Sequence, residues 1–214
     1  MPQQPTSETQ PTRERLLDAA ARLFHERGFE ATPVAAILER AGVHSGSLYH
    51  YFPGKDALLR GVLERYRGLL QPVVLGPIEE AERDPIERVF RLLDWYRQGM
   101  TTSRCRRGCP IGNLALEVSD THPEVRPIIA QNLAAWAAGI ERWLDEAADR
   151  LPADCDRQAL AGFVLTVMEG GLLEARALGD LAPFDRSVAV LRDHVNRLLA
   201  DAAGRPAGAQ EDRR

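Results

Sequence analysis

The sequence predicts an all-α fold of about nine helices, in which a small N-terminal three-helix unit precedes a longer helical bundle. Three observations support this class. Apolar residues recur at the spacing of amphipathic helices along most of the chain, and no segment alternates polar and apolar residues as a half-buried strand does. Proline and glycine divide the chain into helix-sized segments, with a break expected at Pro72, Gly76, Pro77 and Pro85. A chain of 214 residues is long enough for a small unit and a bundle with its own core.

The first two helices are indicated by apolar faces and by end signals. A helix over 12–27 is predicted, with Gly28 where it should stop. Its apolar face consists of Leu16, Leu17, Ala20, Leu23 and Phe24. Thr32 suits an N-cap and Pro33 the first helical position, so a second helix is predicted over 33–41.

Residues 41–59 have the pattern of the second half of a helix-turn-helix. Gly42 can adopt the positive φ that ends one helix, and Val43 can fill the angle between two helices. A short polar helix follows, with only Leu48 and Phe52 as buried anchors. Such a helix fits the DNA major groove, where bases are distinguished by hydrogen bonds and by contact with the thymine methyl. A long fourth helix, predicted over 55–70, should buttress this unit.

These residues resemble the TetR family of one-component bacterial transcriptional regulators. The resemblance covers residues 12 to about 60 and is carried by the segments 28–32, 41–43, 46–52 and 55–59. His44 departs from the Ser or Thr that usually leads the recognition helix of this family.

The domain organisation is implied by the resemblance. A three-helix DNA-binding domain with a helix-turn-helix is expected over 12–54, and a ligand-binding and dimerisation bundle over 55–203. A disordered leader is expected at 1–11 and a disordered tail at 204–214.

The implied function is sequence-specific DNA-binding transcriptional regulation by a cytoplasmic homodimer. The main expectation is a repressor that an unknown small-molecule or thiol-reactive effector releases from a palindromic double-stranded DNA operator. Two alternatives stay open: a transcriptional activator of the same family, and a helical protein with thiol chemistry at Cys109. No catalytic residues, metal, cofactor or membrane segment are expected, since the sequence lacks the corresponding patterns.

Helix geometry and the family pattern together indicate the residues that contact DNA. The first turns of the recognition helix should face base edges, and Lys55 and Thr32 should hold phosphates, each at the start of a helix. The predicted DNA-binding residues are Thr32, His44, Ser45, Gly46, Ser47, Tyr49, His50, Tyr51 and Lys55. The alternative for Tyr49 and His50 is that they cover the core.

The charge of the three-helix unit, which we call the reading head, indicates that two copies are needed to bind DNA. The chain has a net charge of −4, and residues 1–55 carry equal numbers of basic and acidic side chains, although no acidic residue lies between Ala41 and Lys55. A head with so little positive charge needs a second head bound to an adjacent half-site.

The remaining helices are predicted over 85–102, 111–119, 124–150, 157–178 and 184–202. The last two carry apolar stripes that are expected to pair across a two-fold axis. The predicted dimer-interface residues are Phe163, Val167, Gly171, Leu172, Ala175, Val188, Leu191, Val195 and Leu198. The alternative is that these stripes pack within one subunit.

An apolar effector pocket with a few polar groups is expected among these helices. Its candidate residues are Trp95, Tyr96, Met100, Cys109, Asn113, Glu117, Trp136, Ile140, Phe163 and Met168. The alternative is ordinary core, which is the usual role of aromatic residues at this spacing.

Cys109 precedes Pro110 and is therefore predicted at a helix N-cap, with Arg106 and Arg107 close by in sequence. Free amides and cations favour the reactive thiolate. The Cys-Pro-Ile-Gly-Asn segment is similar to that of electrophile-responsive TetR members, so Cys109, with Cys105, is a candidate sensor. The alternative is a buried packing residue at a helix start.

Overall fold

The computed structural model describes residues 11–204, and they contain no strand. The predicted leader and tail lie almost entirely outside these residues. The α-helices are, in chain order, α1 (Thr12–Arg27), α2 (Val34–Ala41), α3 (Ser45–Tyr51), α4 (Lys55–Leu69), α5 (Gly76–Ala81), α6 (Pro85–Thr102), α7 (Pro110–Val118), α8 (Arg126–Glu146), α9 (Arg157–Leu178) and α10 (Ala182–Gly204). Short 3-10 turns at Pro123–Val125 and Ala148–Arg150 flank α8. The predicted bounds of α1, α6 and α9 are confirmed to the residue.

The chain does not leave helical structure after α4, where Pro72, Gly76 and Pro77 predicted a break. Leu70–Leu75 form a π-helical turn that leads directly into α5. Pro77 lies in the first turn of α5, where an N–H has no intrahelical partner to lose. A Cβ at Gly76 would lie 2.9 Å from the Gln71 carbonyl oxygen, so only glycine fits this turn. If α4, the π-helical turn and α5 are counted as one helix over 55–81, the described residues contain nine α-helices.

The chain forms two compact units. Among the described residues, the first comprises 11–70 together with Cys109–Leu133, and the second comprises Gln71–Gly108 and 134–204. The first unit therefore extends beyond the predicted boundary at residue 54 and includes α4 and α7.

Helix α1 is the centre of the first unit, where it packs against α2, α3, α4 and α7. Its predicted apolar face is buried. Helix α4 approaches α1 closely at Gly61, where a Cβ would lie 2.9 Å from Leu17 and 3.2 Å from Phe52. Arg65 on α4 also forms ion pairs with Glu14 and Asp18 of α1.

The second unit is an apolar bundle in which α9 and α10 pair along their length. Gly171 permits this approach, since a Cβ there would lie 2.9 Å from the Phe184 ring. Buried Trp143 donates its indole N–H to Glu79 over 2.8 Å. Within residues 11–204, no helix is both long and apolar enough to cross a membrane.

Candidate nucleic-acid interface

The turn between α2 and α3 is short because Gly42 adopts a left-handed conformation, with φ 64°. The amide of Gly42 donates to the Glu39 carbonyl and that of Val43 to the Leu38 carbonyl, each over 3.1 Å. These bonds satisfy the last carbonyls of α2, and α3 begins only two residues after Val43. The predicted helix-turn-helix is thereby confirmed in its local geometry.

Helix α3 is held by the two predicted anchors and turns its other side chains outward. Leu48 and Phe52 are buried. Tyr49 is 63% exposed, which contradicts the alternative that it covers the core. Ser47 is half-buried, and the exposed residues of this segment are His44, Ser45, Gly46, Tyr49, His50 and Tyr51. We call these six residues the recognition face.

The recognition face presents hydroxyls and rings. The His50 and Tyr51 rings meet edge to face with centroids 4.7 Å apart. Apart from its two chain neighbours and the backbone of its own helix, no heavy atom of the described residues lies within 4 Å of a Cβ built on Gly46, so this position is open to a partner. Because no carboxylate lies between residues 41 and 55, the surface is also free of local charge that would repel phosphate.

Thr32 does not have the predicted role. Its side chain is 0% exposed, and its hydroxyl donates to the carbonyl oxygen of Gly28 over 2.6 Å. The N-cap of α2 is Pro33, without a side-chain cap. The Thr32 side chain therefore cannot contact a phosphate, because its one proton is used inside the fold.

Lys55 begins α4, as predicted. Its ammonium lies 3.3 Å from the Glu30 carbonyl oxygen and 4.2 Å from the centroid of the Phe29 ring. The cation thus lies at the turn that comes after α1. Its contact with a DNA phosphate remains a prediction.

Glu117, predicted to line an effector pocket, is instead bound to the turn after α1. Its carboxylate accepts the amide N–H groups of Phe29 and Glu30, each over 2.8 Å. Nothing in the sequence indicated this contact, which joins residues 88 and 87 positions apart. Each oxygen accepts one backbone N–H, so Glu117 holds this turn, and its contact with an effector remains a prediction.

Cys109 is the N-cap of α7, as predicted, and its sulfur accepts the Gly112 amide over 3.5 Å. It is only 2% exposed. Burial raises the pKa of the nearby Tyr66 phenol, and the Cys109 thiol adds to that rise. Asn113, one turn further along α7, is half-buried with its side-chain nitrogen enclosed.

The other predicted pocket residues belong to the second unit and divide into two groups. Tyr96, Met100, Trp136, Ile140 and Met168 are buried. The Tyr96 and Trp136 rings pack with centroids 5.4 Å apart. Trp95 and Phe163 are exposed, and their contact with an effector remains a prediction. A cavity of about 300 Å³ lies elsewhere, and it is lined by Asp149, Arg150, Leu199, Ala202 and Ala203.

The predicted dimer stripe is largely internal to the chain. Gly171, Leu172, Ala175, Leu191 and Val195 are buried between α9, α10 and their neighbours, so they cannot form a surface for a second copy. Val167, Val188 and Leu198 are half-buried and Phe163 is exposed. Of the predicted set only Phe163 is exposed, so most of these side chains face the interior of the chain rather than a second copy. The large apolar side chains exposed there are Phe163, Leu173, Leu178 and Val190, which we call the hairpin face.

Comparison with known proteins gives a consistent result over most of the chain. Residues 16–62 match the family model described as bacterial regulatory proteins, tetR family, and residues 85–191 match the model described as tetracyclin repressor-like, C-terminal domain. An uncharacterized HTH-type transcriptional regulator of Mycobacterium tuberculosis is 38% identical over 193 residues, which are 88% of this chain and 95% of the relative.

Two solved structures have the same fold. The regulatory protein TetR from Rhodobacter sphaeroides is 26% identical with a TM-score of 0.78, over 86% of this chain and 98% of that one. A cysteine mutant of the TetR family regulator CifR, complexed with 26-bp double-strand operator DNA, is 26% identical with a TM-score of 0.69, over 88% of this chain and 95% of that one.

Proposed function

The chain belongs to the TetR family of bacterial transcriptional regulators, and from that premise we propose that it is a homodimeric repressor of a palindromic operator. Like the members of this family, it is a DNA-binding regulator and not an enzyme. A small-molecule or thiol-reactive effector releases it from the operator. The description of the C-terminal family model as repressor-like supports repression.

The observation that carries DNA binding is the recognition face. Short helix α3 is fixed by Leu48 and Phe52, while Ser45, Tyr49 and His50 are exposed. Hydroxyl, imidazole and ring groups on a helix start are suited to base edges in the major groove. The operator duplex in the CifR complex supports operator binding by this chain.

Two copies are needed because one head has little positive charge to hold phosphates. Half-sites about 34–36 Å apart would then be read on one side of the duplex. The hairpin face supports a second copy as its partner, since its exposed side chains are aliphatic or aromatic. Pairing these faces across a two-fold axis would remove four large apolar groups per chain from water.

Effector release is a population shift. If the effector binds better to a form whose heads are incorrectly spaced for the operator, it lowers operator affinity, and DNA lowers effector affinity by the same factor.

For a thiol-reactive effector, Cys109 is the proposed target. Its sulfur caps α7 and is nearly enclosed, so an added group removes an acceptor from the Gly112 amide and leaves no room for the original packing. Cys109→Ser should abolish release by an alkylating agent such as N-ethylmaleimide. Cys155→Ser is the matched control, because burial raises the pKa of the Cys155 thiol and makes it a poor nucleophile. Release that survives in Cys109→Ser would eliminate this target.

The experiment that tests the function is selection of bound duplexes from a random pool. Recovery of a palindrome with half-sites about one helical turn apart is expected. A chain that enriches no duplex sequence would refute the proposed function.

A further inference from the structure

The turn over residues 28–32 connects α1 to α2 and therefore sets the angle at which α2 and α3 leave α1. Gly28 has φ +88°, and Thr32 closes the turn from inside through its bond to the Gly28 carbonyl. Phe29 is buried against Phe24, with ring centroids 5.2 Å apart. This turn is the hinge of the reading head, since residues 33–51 extend from it.

Glu117 holds this turn from the last part of α7. Its two carboxylate oxygens take the N–H groups of Phe29 and Glu30, one each, over 2.8 Å. Charged acceptors make the stronger backbone hydrogen bonds. The approach depends on glycine, because a Cβ at Gly28 would lie 2.9 Å from both carboxylate oxygens.

Further contacts of the same turn involve the segment after α7 and the start of α4. The His122 ring meets the Phe29 ring edge to face at 5.0 Å, and its Nε2 lies 3.6 Å from the Asp56 carboxylate. Lys55 approaches the Glu30 carbonyl from α4. The turn is therefore held by the Glu117 carboxylate on its amides and by the Lys55 ammonium on its carbonyl. Of these two residues, Glu117 is the more distant in sequence.

We propose that Glu117 is a positioning residue for operator binding, which holds the 28–32 turn so that α3 is presented at the angle that DNA requires. This inference rests on the proposed function and adds the route of its regulation. Helix α7 has 9 residues and begins next to Cys109. Its two ends are about 12 Å apart. A short helix moves as one body, so displacement of its first turn withdraws the carboxylate from the Phe29 and Glu30 amides.

The test compares Glu117→Gln with Glu124→Gln. Glutamine keeps the size of the side chain but offers one acceptor and one donor, so one of the two amides loses its bond. Glu124 is exposed on the 3-10 turn after α7 and makes no such contact, and its variant removes the same charge. Operator affinity is measured on the palindrome selected by the wild type, and hydrogen exchange is measured in peptides covering residues 28–32 and α9.

Glu117→Gln is expected to weaken operator affinity about tenfold, as one lost charged hydrogen bond can. The 28–32 amides should exchange at least about tenfold faster, while exchange in α9 stays unchanged, which distinguishes a released turn from general unfolding. Glu124→Gln should match the wild type in both measurements. Faster exchange with unchanged operator affinity would overturn the inference, as would unchanged exchange. If the wild type itself selects no duplex, the proposed function fails first; if the wild type binds and Glu117→Gln binds equally, only this inference fails.

Discussion

The recognition face and the hairpin face both expose large side chains, but they expose different chemistry. The recognition face carries Tyr49 and Tyr51 beside an imidazole and a serine hydroxyl. The hairpin face carries aliphatic groups, with Leu173 55% and Val190 68% exposed. Exposure alone does not identify a partner. The hydrogen-bonding capacity of the exposed groups distinguishes a DNA groove from an apolar copy of the same chain.

The two faces also differ in the consequences of disrupting them. If the hairpin face forms the dimer, disrupting it removes the second reading head as well. Disrupting the recognition face should leave the dimer intact. Variants of the two faces should therefore separate loss of the dimer from loss of DNA binding alone.

The largest effect is expected from Leu173→Arg combined with Val190→Arg. Burying each of these side chains contributes about 1.5–3 kcal/mol, and each occurs twice in a two-fold dimer, so the dissociation constant of the dimer should rise at least about a hundredfold. Sedimentation measures the dimer and a gel shift measures operator binding, which should be lost with it.

The control is Val73→Arg, which changes an exposed aliphatic residue outside both faces and should leave the dimer intact. A stable dimer in the double variant would show that the hairpin face is not the interface.

Tyr49→Ala should weaken operator binding without affecting the dimer. The loss of one good base contact costs about 1–3 kcal/mol, so affinity should fall roughly ten- to a hundredfold. The thermal midpoint should hardly change because Tyr49 is exposed. Fluorescence anisotropy with the selected duplex measures the effect, and Tyr49→Phe separates the hydroxyl from the ring. Equal operator affinity in the wild type, Tyr49→Ala and Tyr49→Phe would show that Tyr49 does not contact DNA.

Gly46→Ala should weaken operator binding by a smaller factor, about threefold or more, while raising stability. The new methyl meets no atom of the described residues, and alanine is favoured over glycine in helices by up to about 1 kcal/mol. Gly99→Ala on α6 is the matched control, since its surroundings are equally open. Both variants should melt higher in a thermal scan, but only the first should lose affinity. Unchanged affinity would mean that DNA does not approach Gly46 closely.

The smallest effect is a difference in response to acid. Hydrogen bonds from Arg97, 2.7 and 2.9 Å long, hold the pKa of the Asp185 carboxyl below its ordinary value of 3.8. Stability from this pair is present above that ordinary value and is lost as the pH falls through the lowered pKa. Because Asp185 starts α10 and the recognition face has no carboxylate, acid should loosen the hairpin first.

The free energy of unfolding should therefore depend slightly less on pH in Asp185→Asn than in the wild type, between about pH 5 and pH 2. The difference stays small because the pair is largely exposed. Chemical denaturation at each pH measures it, and identical slopes would contradict the assignment.

The local parts of the fold could be predicted from the sequence because their causes lie within a few residues. Gly42 ends α2 by its own backbone preference, and Leu48 and Phe52 are the only large apolar groups that α3 can bury. The N-cap at Cys109 is a consequence of the proline beside it. The prediction of a break at Pro72 was wrong because a π-helical turn, which Gly76 permits, accommodates the proline within helical structure.

The sequence by itself determined where most helices begin and end and which residues share a helical side, since both depend on contacts within a turn or two. Only the tertiary structure decided which side of α9 and α10 faces inward, where the Thr32 hydroxyl points, and that Glu117 holds the turn after α1. The physical reason is that helical periodicity fixes the direction of each side chain around the helix axis but does not fix which neighbouring segment that side chain contacts. That neighbour is selected by packing and hydrogen bonding between segments far apart in the chain.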